Sequence, residues 1–162
     1  MYAVQTLLML HHSLLIPVVL TNCCSWTKLS PANILLLQRV QTKYLKRTLH
    51  SPQSTPNAIT FLETGVMPIE FEIHKRQLNY LHKVLTLDND DPVKRMYNEL
   101  LKYPCAQNWS NEIKTLRCKY NLLETDEEIE SLNKGRWKRK VKKTIRQSAL
   151  TFLNNEKKKL KK

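Results

Sequence analysis

The residues most able to do chemistry here are acids. Asp88, Asp90 and Asp91 form a close carboxylate cluster, the kind of group that can hold two metal ions for phosphoryl transfer. Pro92 follows at once, so the same acids also read as a loop ending in a helix N-cap. A second acidic run, Asp126 to Glu130, fits the first turn of a helix, where the backbone dipole favours negative charge. His11 and His12 are adjacent and belong to no HExxH pattern, while His74 and His82 stand too far apart to share a ligand from neighbouring turns. They read as surface or packing histidines. Cys23 and Cys24 adjoin each other, and Cys105 and Cys118 have no CxxC companion. This spacing makes neither a zinc site nor a disulfide framework, and reduced thiols are expected. No serine sits in a GxSxG elbow. The sequon at Asn108 and Ser110 matters only in a secreted chain. No catalytic residue, metal ligand, cofactor or small-molecule substrate is expected.

What remains is charge. The 162-residue chain carries 27 Lys and Arg against 14 Asp and Glu, a net of +13. From Lys134 to Lys162 there are 13 cations and one acid, Glu156, a net of +12, which leaves +1 for everything before it. A field of that density attracts polyanions: RNA or DNA bound without sequence preference is the first expected partner, and an anionic membrane surface or a protein-interaction module the alternative reading. The candidate contacts in this segment are Lys134, Arg136, Lys138, Arg139, Lys140, Lys142, Lys143 and Arg146.

The elements that must position these cations are helices. With 2 glycines in the chain, a phosphate-cradling loop, a dinucleotide fingerprint and a meander of tight hairpins are all excluded. Proline punctuates instead. Ser30 and Pro31 open a helix expected to end near Leu49, with Leu37, Val40, Tyr44 and Thr48 on one face and Lys43, Lys46 and Arg47 outside it. Thr55 and Pro56 repeat the cap-plus-proline device for a short helix that Gly65 ends. Pro68 begins a longer helix to about Leu87, with Ile69, Ile73, Leu78, Leu81, Val84 and Leu85 as its buried stripe. Further helices are expected from the Asp91 cap to Tyr103, where Pro104 stops it, from Ser110 to Tyr120, and after a capping box at Thr125. Beyond Gly135, Trp137, Val141, Ile145, Ala149 and Phe152 recur at helical spacing. The fold class is all-α: an irregular array of about six or seven helices closed by a long basic amphipathic one.

The first residues need their own reading. Leu7 to Leu20 is mostly apolar, but no Lys or Arg precedes it, the residues after it make a poor cleavage site, and His11, His12 and Pro17 interrupt it. A signal peptide or a membrane span is not expected. A core-facing helix in an intracellular protein, nuclear or cytoplasmic, is.

From Leu14 to Asn121 the order and spacing of short motifs resembles the stretch after the reverse-transcriptase palm in non-LTR (LINE-type) retrotransposon polyproteins. The matching residues are Pro17, Leu20, Trp26 and Leu29, then Leu37, Gln41, Leu45 and Lys46. Ser54, Thr55 and Pro56 follow, then Leu62, Glu63, Gly65, Pro68 and Ile69, and finally Arg76, Leu78, Tyr80 and Leu81. The resemblance implies a thumb and C-terminal extension that contacts nucleic acid, with Lys43, Lys46 and Arg47 as further candidate contacts. It also implies an absence: the metal-binding aspartates of the family's palm lie upstream of the matched region, and no such pair precedes Trp26. The expectation is a truncated, non-catalytic element whose Met1 is an internal methionine. It divides into residues 1–29 (apolar helix and linker), 30–121 (thumb-like helices) and 122–162 (short acidic helix, then basic helix).

Overall fold

The computed structural model describes residues 4–27, 29–103 and 108–160. Among these the regular structure is entirely helical. An N-terminal run comprises α1 (Val4–Leu10), a π-helical turn (His11–Leu15) and α2 (Ile16–Val19), and a short 3₁₀ turn (Cys23–Ser25) follows. Then come α3 (Pro31–Thr48), α4 (Asn57–Thr64), α5 (Ile69–Leu85), α6 (Pro92–Lys102), α7 (Trp109–Lys119), α8 (Asp126–Ser131) and α9 (Lys134–Lys159).

Most of the punctuation acts as its chemistry requires. Ser30 Oγ accepts the Asn33 N–H at 3.2 Å, Asp91 Oδ1 accepts the Val93 N–H at 2.8 Å, and Thr125 and Glu128 exchange both bonds of a capping box. Gly65 ends α4 with φ of 66°, the left-handed geometry that glycine takes without penalty. Thr55 departs from expectation, because the N-cap of α4 is Pro56 and no side chain caps it. The α9 helix starts one residue ahead of Gly135, since Asn133 Oδ1 accepts the Gly135 N–H at 2.8 Å and fixes the first turn. The proposed stop at Pro104 lies outside the described residues.

The chain divides into two compact units, with two of the divisions inside α5 and α9 and the others on either side of Asn22–Leu29. The first contains the N-terminal run, Ser30–Glu72 and the chain from Arg146 onward. Its core is Leu45, Ala58, Phe61, Val66 and Leu153, against which Leu8, Tyr44 and Leu62 pack. Two expectations fail here. Val40 is exposed, and the buried side of α3 runs instead through Gln41, Leu45 and Thr48, with Thr42 and Lys46 beside them. On α9 the buried position is Leu153 rather than Phe152, which lies against Phe71 at its surface with ring centroids 5.8 Å apart. A four-residue step through Trp137, Val141, Ile145, Ala149 and Leu153 advances slightly more than one turn each time, so the buried stripe winds around the helix.

The N-terminal run is also only partly a core helix. His11, Ile16 and Leu20 are buried, while Met9, Leu14 and Val18 are 68%, 60% and 75% exposed. Its π turn has a local cause. Pro17 has no N–H for the carbonyl of Ser13 and its ring crowds that carbonyl, so the ladder widens just before it. Tyr44 ties the run down by donating from its hydroxyl to the Leu7 carbonyl at 2.8 Å.

His11, within the π turn and 5.6 Å from the Tyr44 ring, is fully buried, and neither ring nitrogen has a hydrogen-bond partner. Burial, then the neighbouring His12, lower its pKa to about 4, against a smaller opposing pull from Glu72. As the pH falls from 6.5 the unfolded chain takes up this proton first, so folding stability declines through that window and stops declining, for this group, below about 4. The loss should approach about 3 kcal/mol. His11→Phe should flatten that part of a stability-against-pH curve from urea unfolding. An unchanged slope would place the acid sensitivity elsewhere.

Candidate nucleic-acid interface

The second unit contains Asn22–Leu29 and Ile73–Ile145, and with it all but one of the cations singled out on α9. Trp137 orients this part of α9. It is completely buried, its Nε1–H donates to the Leu78 carbonyl at 2.9 Å, and its ring stacks on His82 with centroids 6.4 Å apart. His82 in turn donates from Nε2 to the Leu132 carbonyl at 2.9 Å. With Trp137, Val141 and Ile145 turned inward, Lys134, Arg136, Lys138, Arg139, Lys140, Lys142 and Lys143 are all exposed. Arg136, Arg139 and Lys143 are spaced by three and four residues, so they share the face opposite the buried stripe. Lys138 and Lys142 form a second row beside them. Arg146, also exposed, belongs to the first unit.

Their partners differ. Lys140 forms an ion pair with Glu124, and with Arg136, Glu128, Ser131 and Leu132 both line an open cleft of about 530 Å³. Glu124 is held by its backbone, whose carbonyl accepts from Arg117 Nη2. The Arg117 guanidinium also pairs with Asp126 at 2.5 Å, and Asp126 accepts the Tyr97 hydroxyl at 2.8 Å. Burial, followed by the charge and hydrogen bond of Asp126, raises the Tyr97 pKa, with Arg117 opposing. This polar chain crosses α6, α7, α8 and α9 and commits one α9 cation to structure. Among the described residues, Lys138, Arg139, Lys142 and Lys143 have no carboxylate partner.

The α3 candidates separate sharply. Lys43 and Arg47 are exposed. Lys46 is buried, and its Nζ donates to the Gln53 carbonyl at 2.8 Å while its own carbonyl accepts the Ser51 N–H at 2.9 Å. Lys46 therefore clamps the loop after α3 and is not a free contact. The expectation fails because charge does not mark exposure: a lysine stem can run along a core and deliver its head to a carbonyl.

The remaining candidates resolve as structural parts. Asp91 serves as the α6 cap. His74 shares a 2.7 Å hydrogen bond with Tyr120 in the second unit. Asn108 of the sequon is buried, accepts the Ser110 N–H as the α7 N-cap, and donates to the Leu100 carbonyl at 2.8 Å. Among the described residues Cys23, Cys24 and Cys118 form no disulfide, and Cys105 lies outside the described residues. Among the described residues no group of three His, Cys, Asp or Glu is placed to hold a metal ion, and no helix is long and apolar enough to cross a membrane. The resemblance to retrotransposon polyproteins has no counterpart in wider comparison: no protein-family model, curated protein or solved structure matches this chain.

The contrast between Lys46 and its neighbours is measurable. Lys46→Met should lower stability by roughly 1.5–3 kcal/mol, the scale of one charge-assisted hydrogen bond, and leave affinity for a duplex within twofold. The double variant Lys43→Gln/Arg47→Gln should do the reverse. Gel-shift titrations and thermal melts on the same preparations would distinguish the two, and a loss of affinity in Lys46→Met would restore it as a contact.

Proposed function

We propose that the chain is a non-catalytic remnant of a non-LTR retrotransposon reverse transcriptase that binds RNA or DNA through phosphates, without sequence preference. The observation that carries the binding half of this reading is the exposed set Lys138, Arg139, Lys142 and Lys143, without a carboxylate partner among the described residues, on one helix whose rotation is fixed from beneath. From Lys134 to Lys143 the helix advances about 14 Å, over which duplex DNA presents about eight phosphate charges.

A second feature supports a functional reading. Lys134 and Arg136 sit in the first turn of α9, where the helix dipole disfavours cations. Local rules broken in this way concentrate where a partner supplies the compensation. The origin in a retroelement rests on the motif order from Leu14 to Asn121, and the non-catalytic reading on that order resembling the region after the family's palm rather than the palm itself.

A protein-interaction role is the second reading. It is favoured by the exposed Met9, Leu14 and Val18 of the N-terminal run, apolar side chains on a helix with no Lys, Arg, Asp or Glu. A stoichiometric complex that survives high salt and nuclease would support it.

Deleting α9 would remove Trp137 and the core with it, so neutralisation is the cleaner test of binding. Arg139→Gln/Lys142→Gln/Lys143→Gln should leave the helical circular dichroism intact and weaken duplex binding at least tenfold. The slope of log K against log salt should shrink by about 0.9 for each phosphate that is no longer neutralised. Unchanged affinity and slope would sink the proposal. Primer extension by the purified chain with magnesium and deoxynucleotides would sink the non-catalytic half independently.

A further inference from the structure

The second unit also holds an apolar cavity of about 170 Å³ that the nucleic-acid reading does not use. Its walls are Tyr80, Tyr97 and Trp109, completed by the aliphatic side chains of Val84 and Leu100. Trp109 stands edge-on to both tyrosines, with ring centroids 5.7 Å from Tyr80 and 5.9 Å from Tyr97. Met96 and Val93, 66% and 42% exposed, also line it and so form its open side.

The walls are anchored from behind. Trp109 Nε1–H donates to the Cys24 carbonyl at 2.9 Å, the Tyr97 hydroxyl to Asp126 at 2.8 Å, and Ser25 Oγ, a further lining group, to the Asn22 carbonyl at 3.0 Å. These bonds fix the rings and use up their polar atoms. The Tyr80 hydroxyl is different: among the described residues nothing hydrogen-bonds it, and its ring is only partly buried.

The size and chemistry of this space specify what fits. A cavity of about 150 Å³ holds one benzene-sized ring, so this one takes a single ring and little more. Aromatic walls favour an aromatic guest through edge-to-face contact, and the methionine thioether at the rim adds sulfur–ring contact. A nucleobase is disfavoured, because its polar edge needs several partners and the lining leaves essentially one. We propose that this cavity is a binding site for one aromatic ring bearing a single hydrogen-bonding group, of the phenol or indole kind, with Tyr80 as the polar partner. The ring comes either free or as the side chain of another polypeptide.

Methyl-detected NMR on the full chain tests this directly. Titration with indole and with phenol should shift the Met96, Val84 and Leu100 methyl resonances saturably, with dissociation constants on the order of 1 mM or tighter. Cyclohexanol, with the same hydroxyl on an aliphatic ring, should bind at least tenfold more weakly. Met96→Glu, an exposed substitution, should weaken phenol at least tenfold with unchanged circular dichroism. Tyr80→Phe should weaken phenol severalfold and leave toluene unaffected. Comparing indole with N-acetyl-tryptophanamide assigns the source: equal affinity means that a side chain on a backbone can enter, and binding of indole alone means a free ligand. No saturable shift with phenol or indole, or equal binding to Met96→Glu, overturns the proposal.

Discussion

The indole N–H of Trp137 bonded to the Leu78 carbonyl is the interaction on which the second unit's surface depends. A tryptophan that is wholly buried must satisfy its one donor, and here it does so against a backbone atom of α5. That bond, with the His82 stack and the His82 bond to Leu132, leaves α9 one rotational setting. Every exposed cation between Lys134 and Lys143 follows from that setting, because the helix period then assigns each residue a direction. Rotating the helix by one residue, about 100°, would bury a lysine or arginine where Trp137 now lies. The indole therefore acts on the charge pattern without touching it.

The same logic shows how much is legible in the sequence. Caps and stops rest on one residue's own chemistry, and Ser30, Asp91, Thr125 with Glu128, and Gly65 all perform as their types require. The buried stripe of α5 is equally local: six apolar residues at helical spacing, all buried. The failures are tertiary. Nothing in the one-dimensional pattern says that Gln41, with Nε2 bonded to the Met67 carbonyl at 2.9 Å, is a core residue while Val40 beside it is exposed. Lys46 resembles a surface residue for the same reason. On α9 a period of 3.6 places Phe152 and Leu153 almost equally well, and only the first unit's cluster decides for the leucine. The aromatic cavity is not legible at all, since Tyr80, Tyr97 and Trp109 come from three helices at irregular separations.

The first unit is shaped by a different constraint, the missing donor at Pro17. Once the helix widens to accommodate it, His11 is placed inside with both nitrogens unpaired. Substituting a hydrocarbon would spare that desolvation, so this site is a local weakness with a definite acid dependence. It lies in the same run as the exposed Met9, Leu14 and Val18. A helix bearing one uncompensated buried ring and an apolar outer side is less self-sufficient than α5 or α9.

Charge and apolar surface are thus handled by different means in this chain. On α9, seven cations within ten residues repel one another, and Glu124 offsets one of them at the flank that meets α8. The network from Tyr97 through Asp126 and Arg117 holds Glu124 in place, so the anion serves to seat the helix and the outward row is left uncompensated. A chain optimised only for stability would have spread acids along that row at i+4, each adding a few tenths of a kcal/mol. Their absence keeps the field that a polyanion would meet, and the seated helix keeps the stems of those cations on its outward side.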